Sequence, residues 1–105
     1  MKETQPKSSS ARPRAEKPYV VIRTFSAGVH VGILERREGK EVELSSARRI
    51  YQWKGANTLH EVALHGVASG SRVSEVLNRV ELTEAIEVLY CSAEGRASLE
   101  AAKWL

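Results

Sequence analysis

The feature that most restricts this chain is a series of short period-two runs beginning at Tyr19. "YVVIRTF" is rich in β-branched and aromatic residues, "AGVHVGILERR" sets Val29, Val31 and Ile33 on one side, and "KEVELS" sets Val42 and Leu44 against Glu41 and Glu43. Side chains alternate across a strand, so each run has one apolar and one polar side. "REGKE", between the second and third runs, carries Gly39 where a tight hairpin turn needs a residue of positive φ. A three-strand meander is therefore expected. "RRIYQWK" alternates again and reads as a fourth strand, with Arg49, Tyr51 and Trp53 on one side and Arg48, Ile50, Gln52 and Lys54 on the other.

"GANT" breaks that strand, and "TLHE" is a capping box: the Thr58 hydroxyl can accept the Glu61 backbone N–H while the Glu61 carboxylate reaches back. A short helix follows from Leu59, with Leu59, Val62 and Ala63 on one side, and Gly66 ends it. Residues 67–79 fit either a loop or a weak helix, with Ser69, Gly70 and Ser71 arguing for a loop at the start. "VEL" and "AIEVLYC" read as further strand, with Ile86, Val88 and Tyr90 on one face. Ser92 caps a final helix, "AEGRASLEAAKW", whose Gly95 costs about 1 kcal/mol relative to alanine, and Trp104 is expected to pack on the sheet. The expected fold is α+β: a small, mostly antiparallel β-sheet of about five strands with one short internal helix and a C-terminal helix.

Residues 1–18 hold no large apolar residue after Met1 and read as a disordered basic arm, leaving residues 19–105 as a single α+β domain. Five of the 16 basic and two of the 13 acidic residues lie in that arm, so residues 19–105 carry 11 of each and no net charge. The overall +3 is thus weak evidence for a nucleic-acid-binding fold, although the arm can add salt-sensitive affinity for phosphates. With one cysteine, Cys91, and neither a run of about 20 apolar residues nor a secretory leader, the expected setting is the cytoplasm, with no membrane contact.

Every acidic residue is glutamate, which disfavours Mg²⁺ or Ca²⁺ centres that lean on aspartate. His60 and His65 are five apart, about 140° around a helix, so neither a metal site nor any other cofactor is expected. Cys91 among Ile86, Val88, Leu89 and Tyr90 reads as a small buried hydrophobe rather than a nucleophile. No nucleophile elbow is present, and the protein is expected not to be an enzyme.

Binding has a clearer signal. No acid intervenes between Glu43 and Glu61, and that gap holds Arg48, Arg49 and Lys54 interleaved with Tyr51 and Trp53, a pattern suited to phosphate contact and base stacking. The turn Gly55, Asn57 and Thr58 offers backbone N–H groups that could cradle an anion. The plainer reading makes Tyr51 and Trp53 core, Arg48 and Lys54 solvated, and the turn a connection. "SAGVHVG" sets Gly28 and Gly32 around His30, either as a close approach by a ligand or partner or as a turn into an edge strand.

The runs "RTFSAGVHVG", "ARRIYQWKGA" and "LTEAIEV" resemble a small family of uncharacterised proteins encoded in tailed-phage and prophage genomes, a domain of unknown function, over about residues 19–102. Members often carry a longer polar insertion after the first helix, from which "HGVASGSRVSEVLNR" departs. The resemblance implies a phage accessory protein acting in the host cytoplasm and directs attention to a ligand or partner before a reaction.

The first functional expectation is a homo-oligomeric, non-enzymatic binding protein for an anionic, nucleotide-like small molecule, such as a host immune signal to be sequestered. The second is a protein–protein module, a phage structural, assembly or host-takeover factor, that uses an exposed sheet edge or the Gly28–Gly32 region to bind a host or virion protein. The third is an accessory DNA- or RNA-binding protein that uses the basic arm.

Overall fold

A computed structural model of the chain describes residues 17–103. Apart from Lys17 and Pro18, the expected arm lies outside the described residues, as does Trp104. The elements run β1 (Tyr19–Thr24), β2 (Val29–Glu38), β3 (Glu41–Gln52), α1 (Leu59–His65), β4 (Arg72–Val73), β5 (Leu77–Leu82), β6 (Ala85–Tyr90) and α2 (Ala93–Ala101). This is the expected α+β class, a mostly antiparallel sheet with two helices, but with six strands rather than about five.

The β1–β2–β3 meander forms as the alternation requires, and Gly39 turns the second hairpin at φ +58°. The expected fourth strand is instead the second half of a twelve-residue β3. Two strands are recognised here because Ser46, at φ +48°, inserts a bulge. From Val31↔Arg48 to Ile33↔Ser45, β3 takes three steps against two of β2, and the extra residue reverses which parity faces which side. Val42, Leu44 and Ala47 therefore pack on one face of the sheet, and Ile50 on the other. The ambiguous residues 67–79 supply β4 and the start of β5, which pair with the two halves of β3.

Strand order is β4-β3-β2-β1-β6, with β5 beside β4 on the same flank of β3. In a flat sheet β5 and β6 would lie about 19 Å apart, yet the three Cα steps from Leu82 to Ala85 span at most about 11 Å. The sheet must roll, and two bonds hold the roll: the Ala85 N–H donates to the Lys40 carbonyl (3.0 Å) and the Phe25 N–H to the Glu84 carbonyl (2.9 Å).

Rolling buries both faces of β1. Val20 and Ile22 face inward with Val42, Leu44, Leu82 and Ala85, while Tyr19 and Val21 face the helices with Val31, Ile50, Val62 and Leu99. α1 starts with the Thr58 cap. Ser92 caps α2 through the Gly95 N–H (2.9 Å), and α2 ends at Ala101 rather than running on toward Trp104.

Candidate functional site

The two adjacent arginines of β3 point to opposite sides, as strand geometry demands. Arg48 is buried, at 6% exposure. Its Nε donates to the Ser74 carbonyl (2.8 Å), and its Nη1 donates to the carbonyls of Leu99 (3.0 Å) and Glu100 (3.3 Å). Those carbonyls lie in the last turn of α2, where a cation is favoured. Arg48 is thus a helix-terminating residue inside the fold, neither solvated nor turned toward a ligand.

Arg49 is exposed, and its backbone N–H is held by Ser74 Oγ (2.8 Å). Its guanidinium lies over Gly28, where an added Cβ would stand 2.9 Å from Nη2, and its strand partner is His30. Arg49, His30 and Gly28, which the sequence separates into two stretches, therefore share one patch. Gly28 also turns β1 into β2 at φ +85°, its carbonyl accepting both the backbone N–H (3.1 Å) and the hydroxyl (2.7 Å) of Thr24. Burial holds the His30 imidazole below its usual pKa; the Ala27 carbonyl opposes this shift and the Arg49 charge adds to it. Gly32 lies apart from this patch, against the β3 bulge: an added Cβ would stand 2.9 Å from the Ser45 carbonyl oxygen, so its lack of a side chain serves strand packing.

Lys54 lays its side chain against Gly70, where an added Cβ would stand 3.5 Å from Nζ, in the 67–71 segment beside the end of α2. Its backbone N–H goes to Ser71 Oγ and its carbonyl accepts the Ala68 N–H, both at 2.8 Å. Gly55, at φ +84°, packs its α-carbon so closely on Ala68 that a Cβ would come within 2.6 Å. The expected anion cradle is occupied from within: the Glu61 carboxylate accepts the Asn57 N–H (2.5 Å), and Thr58 Oγ1 accepts the Glu61 N–H (3.3 Å). The carboxylate sits where an anion would, and it reaches one residue before the cap rather than the cap itself. Trp53 is half-buried against the helix-side core, and Tyr51 is exposed. Arg48, Arg49 and Lys54 therefore do not converge on one surface.

Reactive side chains are scattered too. Burial pushes the Cys91 thiol up to about 11, against a smaller opposing effect of Arg96, so it stays a thiol near neutrality. Among the described residues no three His, Cys or Glu side chains gather at metal-binding distance. A cleft of about 380 Å³ between residues 67–71 and the end of α2 is lined by small side chains and Lys103.

The feature missed by sequence reasoning is the outer edge of β6. β6 pairs with β1 in the register Val20↔Tyr90, Val21↔Leu89 and Ile22↔Val88, and the Cys91 N–H donates to the Tyr19 carbonyl (2.9 Å). Antiparallel pairs alternate between bonded and non-bonded. Cys91, Leu89 and Glu87 therefore spend their backbone groups on β1, while those of Val88 and Tyr90 point the other way. Among the described residues no strand takes them up. Beside this edge Tyr90 is 61% and Leu64 52% exposed, and a shallow cleft of about 310 Å³ runs between Leu64, Ala63 and His60 of α1 and Leu89 of β6. Strand order is not written in local pattern, so only the absence of Lys and Pro from "AIEVLY" marks this strand in advance.

A rolled antiparallel sheet with two helices packed on one face, and a strand edge open at its end, defines a small α+β domain. The chain belongs to the family described as Domain of unknown function (DUF6948), whose model matches residues 17–99. No curated protein and no solved structure matches the chain.

Proposed function

We propose that this protein is a non-enzymatic protein–protein interaction module that docks an extended polypeptide segment along β6. The observation that carries this reading is the open edge at Val88 and Tyr90. In strand addition, main-chain hydrogen bonds supply affinity and grooves on either side of the edge receive alternate side chains. β6 has such grooves: the α1-side cleft at Leu64, and on the other face a cleft of about 240 Å³ between Arg37 and Gly39 of the hairpin tip and Ile86 and Val88. A nucleotide-type ligand has less support, because the three cations that would hold it lie apart and Glu61 fills the turn. The resemblance to phage-encoded proteins, and a single half-buried thiol suited to a reducing cytoplasm, fit a small accessory factor that works by contact.

The test replaces Tyr90 with the photoreactive residue p-benzoylphenylalanine and irradiates intact cells. A covalent adduct to a polypeptide is expected, and it should be lost when Val88→Pro removes one outward N–H. No adduct at position 90, together with a nucleotide that raises the melting temperature of the wild type but not of Arg49→Ala, would return the reading to ligand binding.

A further inference from the structure

We infer that the polypeptide docked on β6 is a second copy of this chain, paired β6 to β6 in antiparallel fashion about a two-fold axis through Leu89. The inference rests on the reading of β6 as a docking edge.

The three outer strands are not equally available. β4 is two residues long. β5 carries Asn78, Arg79 and Glu81, with Arg79 paired to Glu43 and Glu81 to Arg36 (2.6 Å), and charged side chains are a usual protection of a sheet edge. β6 has no lysine, proline or charge beyond Glu87, which is paired with Arg23 (3.5 Å). It is tied to the hairpin tip at Ala85 and lies open toward Tyr90.

Self-pairing follows from which groups point outward. Val88 and Tyr90 are two residues apart, so a second β6 running the opposite way presents the same two in reverse order. Val88 of each copy then faces Tyr90 of the other, and the two exchanges make four N–H···O=C bonds. Leu89 falls on the axis as a non-bonded pair, the closer kind, with Cα atoms about 4.5 Å apart. Each Leu89 is half-buried and borders the cleft under Leu64, so the apolar walls of two such clefts meet around it. On the opposite face the exposed Tyr90 ring gains Val88 of the other copy. This register sets the α-carbons of the two Glu87 residues about 14 Å apart by strand rise and spacing, beyond the Debye length of about 8 Å at physiological salt. Residues 19–105 carry equal numbers of acidic and basic groups, so the two domains themselves meet without net charge repulsion.

Sedimentation of the full chain should show the mass doubling with concentration, and Val88→Pro should hold it at one copy. Independently, Leu89→Cys combined with Cys91→Ala should oxidise to a covalent dimer, because facing cysteines at this spacing satisfy disulfide geometry. Ile86→Cys in the same background should not. A single copy at all concentrations with no Leu89→Cys dimer overturns the self-pairing. If the Tyr90 photoadduct then joins a different polypeptide, the docking edge stands and only its occupant was misassigned. A dimer indifferent to Val88→Pro, with no photoadduct at position 90, overturns both.

Discussion

Arg48 and Arg49 share a side-chain type and adjoin in sequence, yet one helps end a helix and the other faces water. Their substitutions should diverge accordingly. Arg48→Ala strands the carbonyls of Ser74, Leu99 and Glu100 and should lower stability by about 2–3 kcal/mol. Arg49→Ala should stay within about 0.5 kcal/mol. Urea denaturation of the pair checks this, and equal losses would contradict the burial difference. Titration makes a second residue-level case. The unfolded chain releases the Cys91 and Tyr19 protons near pH 9 and 10, whereas burial raises the two groups to about 11 and 12 in the native protein. Across pH 9–11 the native state holds protons that the unfolded chain has lost, so stability falls as pH rises. Cys91→Ala should remove the earlier part of that fall in a melting-temperature profile. His30 acts at the other end: its pKa is lowered on folding, the unfolded chain protonates first as pH drops past 6.5, and stability is lost on the acid side. His30→Gln should flatten that limb.

At the scale of elements, the contact of α1 with α2 reverses a propensity argument. Read alone, Gly95 weakens its helix by about 1 kcal/mol, and alanine would repair it. In the fold Gly95 lies against the end of α1, where an added Cβ would come within 2.0 Å of the Ala63 carbonyl oxygen. Gly95→Ala should therefore destabilise, by about 1–3 kcal/mol as in other overpacked contacts, and thermal melting that shows a gain would refute the close approach. The meander, its Gly39 turn and the Thr58 and Ser92 caps were all legible, because period-two alternation, turn chemistry and capping are local. What escaped detection was set by distant partners. The Ser46 bulge makes one strand of two runs, β4 and β5 depend on β3 to order "RVSEVLNR", and Glu61 fills the turn proposed for an anion. Of the candidate site, the Arg49–His30–Gly28 patch was legible only as two unrelated stretches, since nothing local pairs residue 30 with residue 49.

For the whole molecule, the roll makes both faces of the sheet interior and leaves function to its borders. Two helices cover one face and the sheet covers the other, so neither broad surface is available for binding. A measurement of backbone amide exchange should show this directly: Val88 and Tyr90 amides should exchange fast at low protein concentration, those of Leu89 and Val21 slowly, because the last two are bonded to each other's strand. Protection of Val88 and Tyr90 as concentration rises would locate the contact. Slow exchange of both at every concentration would mean that the edge is already taken within one chain.

The pairing of β1 with β6 also imposes an order in time. Val20 and Tyr90 are partners separated by 70 residues, which a ribosome adds in about 4–14 s. Through that interval β1 has β2 on one side and nothing on the other, with Val20, Val21 and Ile22 on offer to any neighbouring nascent chain. A chain stopped after Leu82 should keep the meander and β5 but aggregate, whereas one carried through Tyr90 should remain dispersed. Synthesis of the last strand is thus the moment at which this protein stops being a hazard to its neighbours.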